Sequence, residues 1–192
     1  MATTRDRLID GAAALLDEGG PAAVTLREVG RRAGVSHNAP YKHFRDKRDL
    51  LAAIAADELR VLAGRLTEAA AGETGAARIG AALHAYVGWA VAAPERFRLV
   101  FGAWTGPHAE LEDAAQAAVV AITEVVTAAQ AEDEALPRGT ERLVALLRST
   151  AHGLVDLELA GHLRKRPGAP GPDDLIDELI TLVRGGGTAQ RH

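Results

Sequence analysis

Between residues 25 and 48 the chain places Arg27, Arg31, Arg32, Lys42, Arg45, Lys47 and Arg48 against only Glu28 and Asp46. This stretch carries +5, while the whole chain of 192 residues carries −4, so the remainder sums to −9. Spread evenly, a negative total would argue against a nucleic-acid partner. A local basic segment on an acidic body is instead the footprint of a dedicated anion-binding head. A solvated helix face would give the same charges, so the cations alone do not decide. Other chemistry is poorly provided for. The absence of cysteine excludes a disulfide scaffold and a thiolate metal site, and it fits a reducing cytoplasm. There is no Gly-x-Ser-x-Gly, no glycine loop that would cradle phosphate and no His-Glu-x-x-His. An enzyme would need a nucleophile or an acid–base pair supported by a third group. No catalytic set, metal or cofactor is expected.

The elements that must position these residues read as helices almost throughout. Apolar residues recur at helical spacing, and no run of alternating β-branched residues interrupts them. Thr4 is the expected cap of a first helix with Leu8, Ala12, Leu15 and Leu16 inward, stopped by Gly19-Gly20-Pro21. Thr25 caps a short second helix that Gly34 ends. Ser36 opens a third, ending near Phe44, and Asp46 caps a long fourth with Asp49 in its first turn. Beyond residue 72, Pro94, Pro107, Pro137 and Pro172 are expected at first helical turns. They divide the chain into helices near 74–93, 94–102, 107–131, 137–164 and 172–184. The longest apolar run, "AALHAYVGWAVAAP", carries His84 and is too short to span a bilayer, so no membrane is expected. The fold class is all-α. A three-helix head with a helix-turn-helix covers 1–47, a larger helical ligand-binding and dimerisation body covers 48–185, and 186–192 is expected to be a disordered tail.

Two short helices joined by a tight glycine turn describe a helix-turn-helix, whose second helix offers its N-terminal residues to base edges. Thr25 and Ser36 bring hydroxyls and helix N-termini suited to phosphate. His37, Asn38, Lys42 and His43 are polar donors on a helix too short to be other than surface. Lys47 opposes the dipole in the first turn of its helix, which points to an anion as its partner. Pro40 is the anomaly, since a proline inside a helix costs about 3 kcal/mol. Two readings remove most of that cost. With Ser36 as cap, Pro40 forfeits only the first intrahelical bond; or its restraint on Ala39 moves the start to Asn38.

The segment "TLREVGRRAGVSHNAPYKHFRDKRDLLAAI" resembles the DNA-binding domain of TetR/AcrR transcriptional regulators. The Gly-Val turn, the Tyr-x-His-Phe ending and the lysine before the long helix carry the resemblance. "APERFRLVF" and "HGLVDLELAGHL" extend it to a subgroup with a Trp-His-Gly type of C-terminal domain, whose tryptophan "LLRSTAHGL" lacks. The resemblance implies that Arg27, His37, Asn38, Ala39 and Lys42 face bases. It places Thr25, Tyr41, His43 and Lys47 mainly on phosphates.

In the body, Tyr86, Trp89, Phe97, Phe101 and Trp104, with His108 and His152, hold most of the aromatic surface of a chain only 4% aromatic. They read as a compact core or as an apolar pocket with a few polar groups, and the family resemblance favours the pocket. Leu146, Gly153 and Ala160 make a small-sided second stripe on a helix already apolar along another face. With Leu157 and with Leu175, Leu179 and Leu182 of the last helix, they point to a four-helix bundle shared by two subunits. The function these features imply is a cytoplasmic homodimeric regulator, a repressor that leaves a near-palindromic double-stranded operator when a small apolar effector binds. The alternative is a helical small-molecule binding protein without sequence-specific DNA binding.

Overall fold

The computed structural model describes residues 2–166 and 168–188. The fold is all-α, with no strand among the described residues. In chain order the helices are α1 (Thr4–Ala23), α2 (Leu26–Arg32), α3 (Ala39–His43), α4 (Lys47–Ala70), α5 (Gly75–Ala92), α6 (Pro94–Val100), α7 (Ala109–Glu132), α8 (Thr140–Leu159) and α9 (Pro172–Thr188). They form two compact units, Met1–Arg60 with Ala93–Gln116, and Val61–Ala92 with Ala117–His192. The expected division between 1–47 and 48–185 lies in the first turn of α4, inside the first unit.

In the first unit α1 packs against α2, α3 and α6. Its cap is Thr3, one residue before the expected Thr4. The Thr3 hydroxyl accepts from the Asp6 amide at 3.1 Å, and the Asp6 carboxylate accepts from the Thr3 amide at 2.8 Å. This is a complete capping box. The helix bends at Gly19 and Gly20, the latter at φ 65°, in the left-handed region that glycine enters without steric cost. Leu8, Leu16, Val24, Val29, Leu50, Ile54 and Phe97 are fully buried and form the core. Arg96 of α6 crosses this unit. Its Nη2 lies 2.6 Å from Asp17 of α1, and its Nη1 lies 2.6 Å from the buried Glu58 of α4.

In the second unit α5 packs on α8 and α9, which also meet each other. Ile79, Val126, Leu136, Leu147, Val155 and Ile176 fill its interior. The amide of Gly75 donates to Glu132 at 2.8 Å, and Arg78 donates to the same carboxylate at 3.0 Å. Pro94 and Pro172 take the first positions of α6 and α9 as expected, but Pro107 and Pro137 precede their helices. The Pro137 carbonyl accepts instead from the buried Gln130 side chain. α9 continues through 186–188, beyond the expected start of the tail, and residues 189–192 lie outside the described residues. α7 is long and apolar enough to cross a membrane by length and composition. Its buried Leu111, Ala114, Ile122, Val126 and Ala129 keep the spacing of a core stripe, and five acids punctuate it.

Candidate nucleic-acid interface

The helix-turn-helix is built from local signals. The Thr25 hydroxyl accepts from the Glu28 amide at 3.2 Å and starts α2. Gly34, at φ 64°, ends it, and the Val35 amide turns back to the Gly30 carbonyl at 3.1 Å. α3 then begins at Ala39, with Asn38 as its cap and Pro40 in its first turn. Of the two readings of Pro40, the later start is the one the chain adopts, and Ser36 does not open the helix. Its carbonyl closes a turn with the Ala39 amide at 2.9 Å. Pro40 also has a packing role that the sequence did not reveal. Its ring is buried against α2, where a Cβ on Gly30 would stand 2.9 Å from its Cγ. Glycine at 30 is therefore what lets α3 close on α2.

Around this turn the expected DNA-facing residues are accessible. Thr25, Arg27, Ser36, His37, Asn38, Lys42 and His43 are exposed, Ala39 and Lys47 are half-buried, and Tyr41 is 54% exposed. The Tyr41 ring meets His37 edge-on at 6.0 Å between centroids. Thr25, Arg27 and His37 border a cavity of about 580 Å³, together with Glu28, Arg31 and Val35.

The seven cations divide cleanly. Arg31 pairs with Glu28, Arg32 with Glu18 at 2.6 Å, and Arg45 with Asp49 at 3.3 Å. Arg48 donates to the Thr105 hydroxyl at 2.7 Å. Arg27, Lys42 and Lys47 have no ion-pair partner among the described residues. Carboxylates thus account for three of the cations, and Arg48 is held by Thr105 without being neutralised, while Arg27, Lys42 and Lys47, the three expected on DNA, have neither kind of partner among the described residues. The carboxyls of Glu18 and Glu28 sit below the usual range because hydrogen bonds from Arg32 and Arg31 hold them ionised.

The seven body residues fall in two sets, one in each unit. In the second unit Tyr86 lies 3.1 Å from Nδ1 of His152 through its hydroxyl, and its ring is 6.1 Å from that of the buried Trp89. Burial pushes the Tyr86 hydroxyl far above its ordinary pKa. A cavity of about 360 Å³ opens beside Trp89. In the first unit the ring of buried Phe97 meets that of Phe101 at a tilt, 5.2 Å between centroids, and Trp104 meets His108 at 5.5 Å. Of the expected dimer residues, Leu146, Leu157 and Leu182 are 54%, 44% and 62% exposed. Ala160 is exposed, and Gly153, Leu175 and Leu179 are half-buried.

Two ionic devices escaped the sequence reading: the Arg96 clamp and a bracket around His84. The Nδ1 of His84 lies 2.9 Å from Asp173 and its Nε2 lies 2.9 Å from Asp177, joining α5 to α9. Burial alone would lower the pKa of this imidazole, but the two carboxylates outweigh it and raise it. His84 stands 89 and 93 residues from these partners, a separation at which periodicity carries no signal.

Residues 8–54 match the family model described as bacterial regulatory proteins, tetR family, and residues 79–183 match the tetracyclin repressor-like C-terminal domain. No curated protein matches. Among solved structures, a protein of unknown function from Rhodococcus sp. RHA1 shares 32% identity at TM-score 0.83, over 97% of this chain and 96% of that one. A TetR-family transcriptional regulator from Streptomyces coelicolor shares 24% identity at TM-score 0.64, over 98% and 99%. The regulator FadR from Bacillus subtilis, solved in complex with stearoyl-CoA, shares the fold at 14% identity and TM-score 0.66, over 93% and 97%.

Proposed function

Because the chain belongs to the TetR family and is a DNA-binding transcriptional regulator rather than an enzyme, we propose that it acts as a cytoplasmic homodimeric repressor. It holds a near-palindromic operator until a small apolar effector releases it. The observation that carries the reading is the charge pattern of the head, where Arg27, Lys42 and Lys47, of the seven cations, bond to no side chain among the described residues. Arg27, His37, Asn38, Ala39 and Lys42 read base edges, while Thr25, Ser36, Tyr41, His43 and Lys47 hold phosphates.

The dimer uses α8 and α9. Large leucines left open to solvent on both helices, beside the small Gly153 and Ala160, suit a second copy of the same pair. Two heads related by a two-fold axis then require two half-sites. The effector engages Tyr86, Trp89 and His152, where an aromatic wall stands beside a hydrogen-bonding pair. That a protein of the same fold holds stearoyl-CoA supports an effector with a long apolar part. Release requires that the effector bind the DNA-free arrangement better than the bound one.

Gel shift with genomic fragments tests the reading. The full chain should retain a subset of fragments, and the triple variant Arg27→Gln, Lys42→Gln, Lys47→Gln should retain none. Equal retention by both would remove DNA from these residues.

A further inference from the structure

The first unit contains an open cavity of about 580 Å³ that the operator contacts do not explain. Leu51, Leu99 and Trp104 provide its apolar lining, and Lys47, Arg48 and Arg98 provide its cations. Arg98 is already neutralised by Glu95, which also lines the cavity. Lys47 and Arg48 are not neutralised by any carboxylate among the described residues. Thr105 holds Arg48 in place, its hydroxyl accepting at 2.7 Å and its carbonyl at 3.4 Å from the same Nη1. The indole of Trp104 donates to the Val100 carbonyl at 3.4 Å, so the ring offers its apolar surface rather than a free donor.

We propose that this groove binds an organic acid, a carboxylate carried on an aliphatic or aromatic body. Groove and ligand are complementary in both charge and apolar surface. A bare phosphate would satisfy Lys47 and Arg48 but leave the surfaces of Leu51, Leu99 and Trp104 wet. A neutral apolar molecule would cover those surfaces and bring no charge to the two cations. A molecule with both parts satisfies both, and the volume lies within the range of small-molecule sites. Guanidinium and ammonium groups bonded to a carboxylate give the stronger class of hydrogen bond. Such a ligand draws on Lys47, which the proposed operator contact also uses. That consequence rests on the operator reading, whereas binding of the acid itself does not.

The test is calorimetric titration of the full chain, without DNA, with decanoate and with 1-decanol. Decanoate should bind saturably and at least about tenfold more tightly than the alcohol. Arg48→Gln should lower decanoate affinity about tenfold while leaving the thermal melt unchanged, and Arg48→Lys should restore part of it. Absence of decanoate binding, equal affinity for acid and alcohol, or unchanged decanoate affinity in Arg48→Gln would each overturn the proposal. None of these outcomes depends on whether the chain binds DNA.

Discussion

Lys47 and Lys42 carry like charges in the head but are assigned different tasks, and the difference is measurable. Lys47→Ala should weaken binding to every DNA sequence alike and reduce the salt slope by about one unit. Lys42→Ala should relax preference at one operator position, by about 1–3 kcal/mol. Binding titrations of both variants at several salt concentrations decide the matter, and uniform loss in both would show the roles are misassigned. At the same scale, Gly30 is fixed by packing. Gly30→Ala brings a Cβ to 2.9 Å from the Pro40 ring, an overpacking that should cost about 1–3 kcal/mol in a urea melt. Pairing it with Pro40→Ala should recover part of the loss. The sequence marked Pro40 as an anomaly because its backbone effect is local. It did not mark Gly30, because the reason for that glycine is a side chain ten positions away.

Helices and their starts were legible in the sequence where the stopping or starting group is a neighbour. Thr25 and Asp46 cap where expected, Gly34 ends α2, and nine helical segments follow from spacing and proline breaks. What joins one helix to another was not legible. Arg96 finds Asp17 across 79 residues and Glu58 across 38. The His84 bracket on α9 is of the same kind, and it makes stability depend on pH. Its folded pKa is raised above 6.5, so its stabilisation is complete below that value and fades as pH rises through the folded pKa. Both carboxylates are well exposed, which limits the effect to about 1 kcal/mol or less. Thermal melts across about pH 6 to 8 should show the wild type losing this increment while His84→Gln stays flat in comparison. Parallel pH curves for the two would mean that the bracket contributes nothing.

At the scale of the whole molecule, a palindromic operator needs two heads, hence two copies. Gly153→Arg should split the dimer, because a long charged side chain at a close helix contact must bury its charge. Sedimentation at low micromolar concentration reads this directly, and a surviving dimer would mean that the bundle uses another surface. The α8 and α9 stripes were visible in the sequence because a helix apolar on two sides needs two partners. Sequence proximity groups the aromatic residues together, yet the fold distributes them over two units, since nearness along the chain says little about which helices pack together. The proposed repressor role stands on sequence-specific operator binding by paired heads. Its most direct measurement is selection of bound fragments from a genomic library followed by footprinting of the enriched DNA. The expected result is a near-palindromic sequence protected as two half-sites about one helical turn or a whole multiple of it apart, near 34 Å per turn. Recovery of fragments with no shared sequence, or a single unpaired protected site, would contradict it.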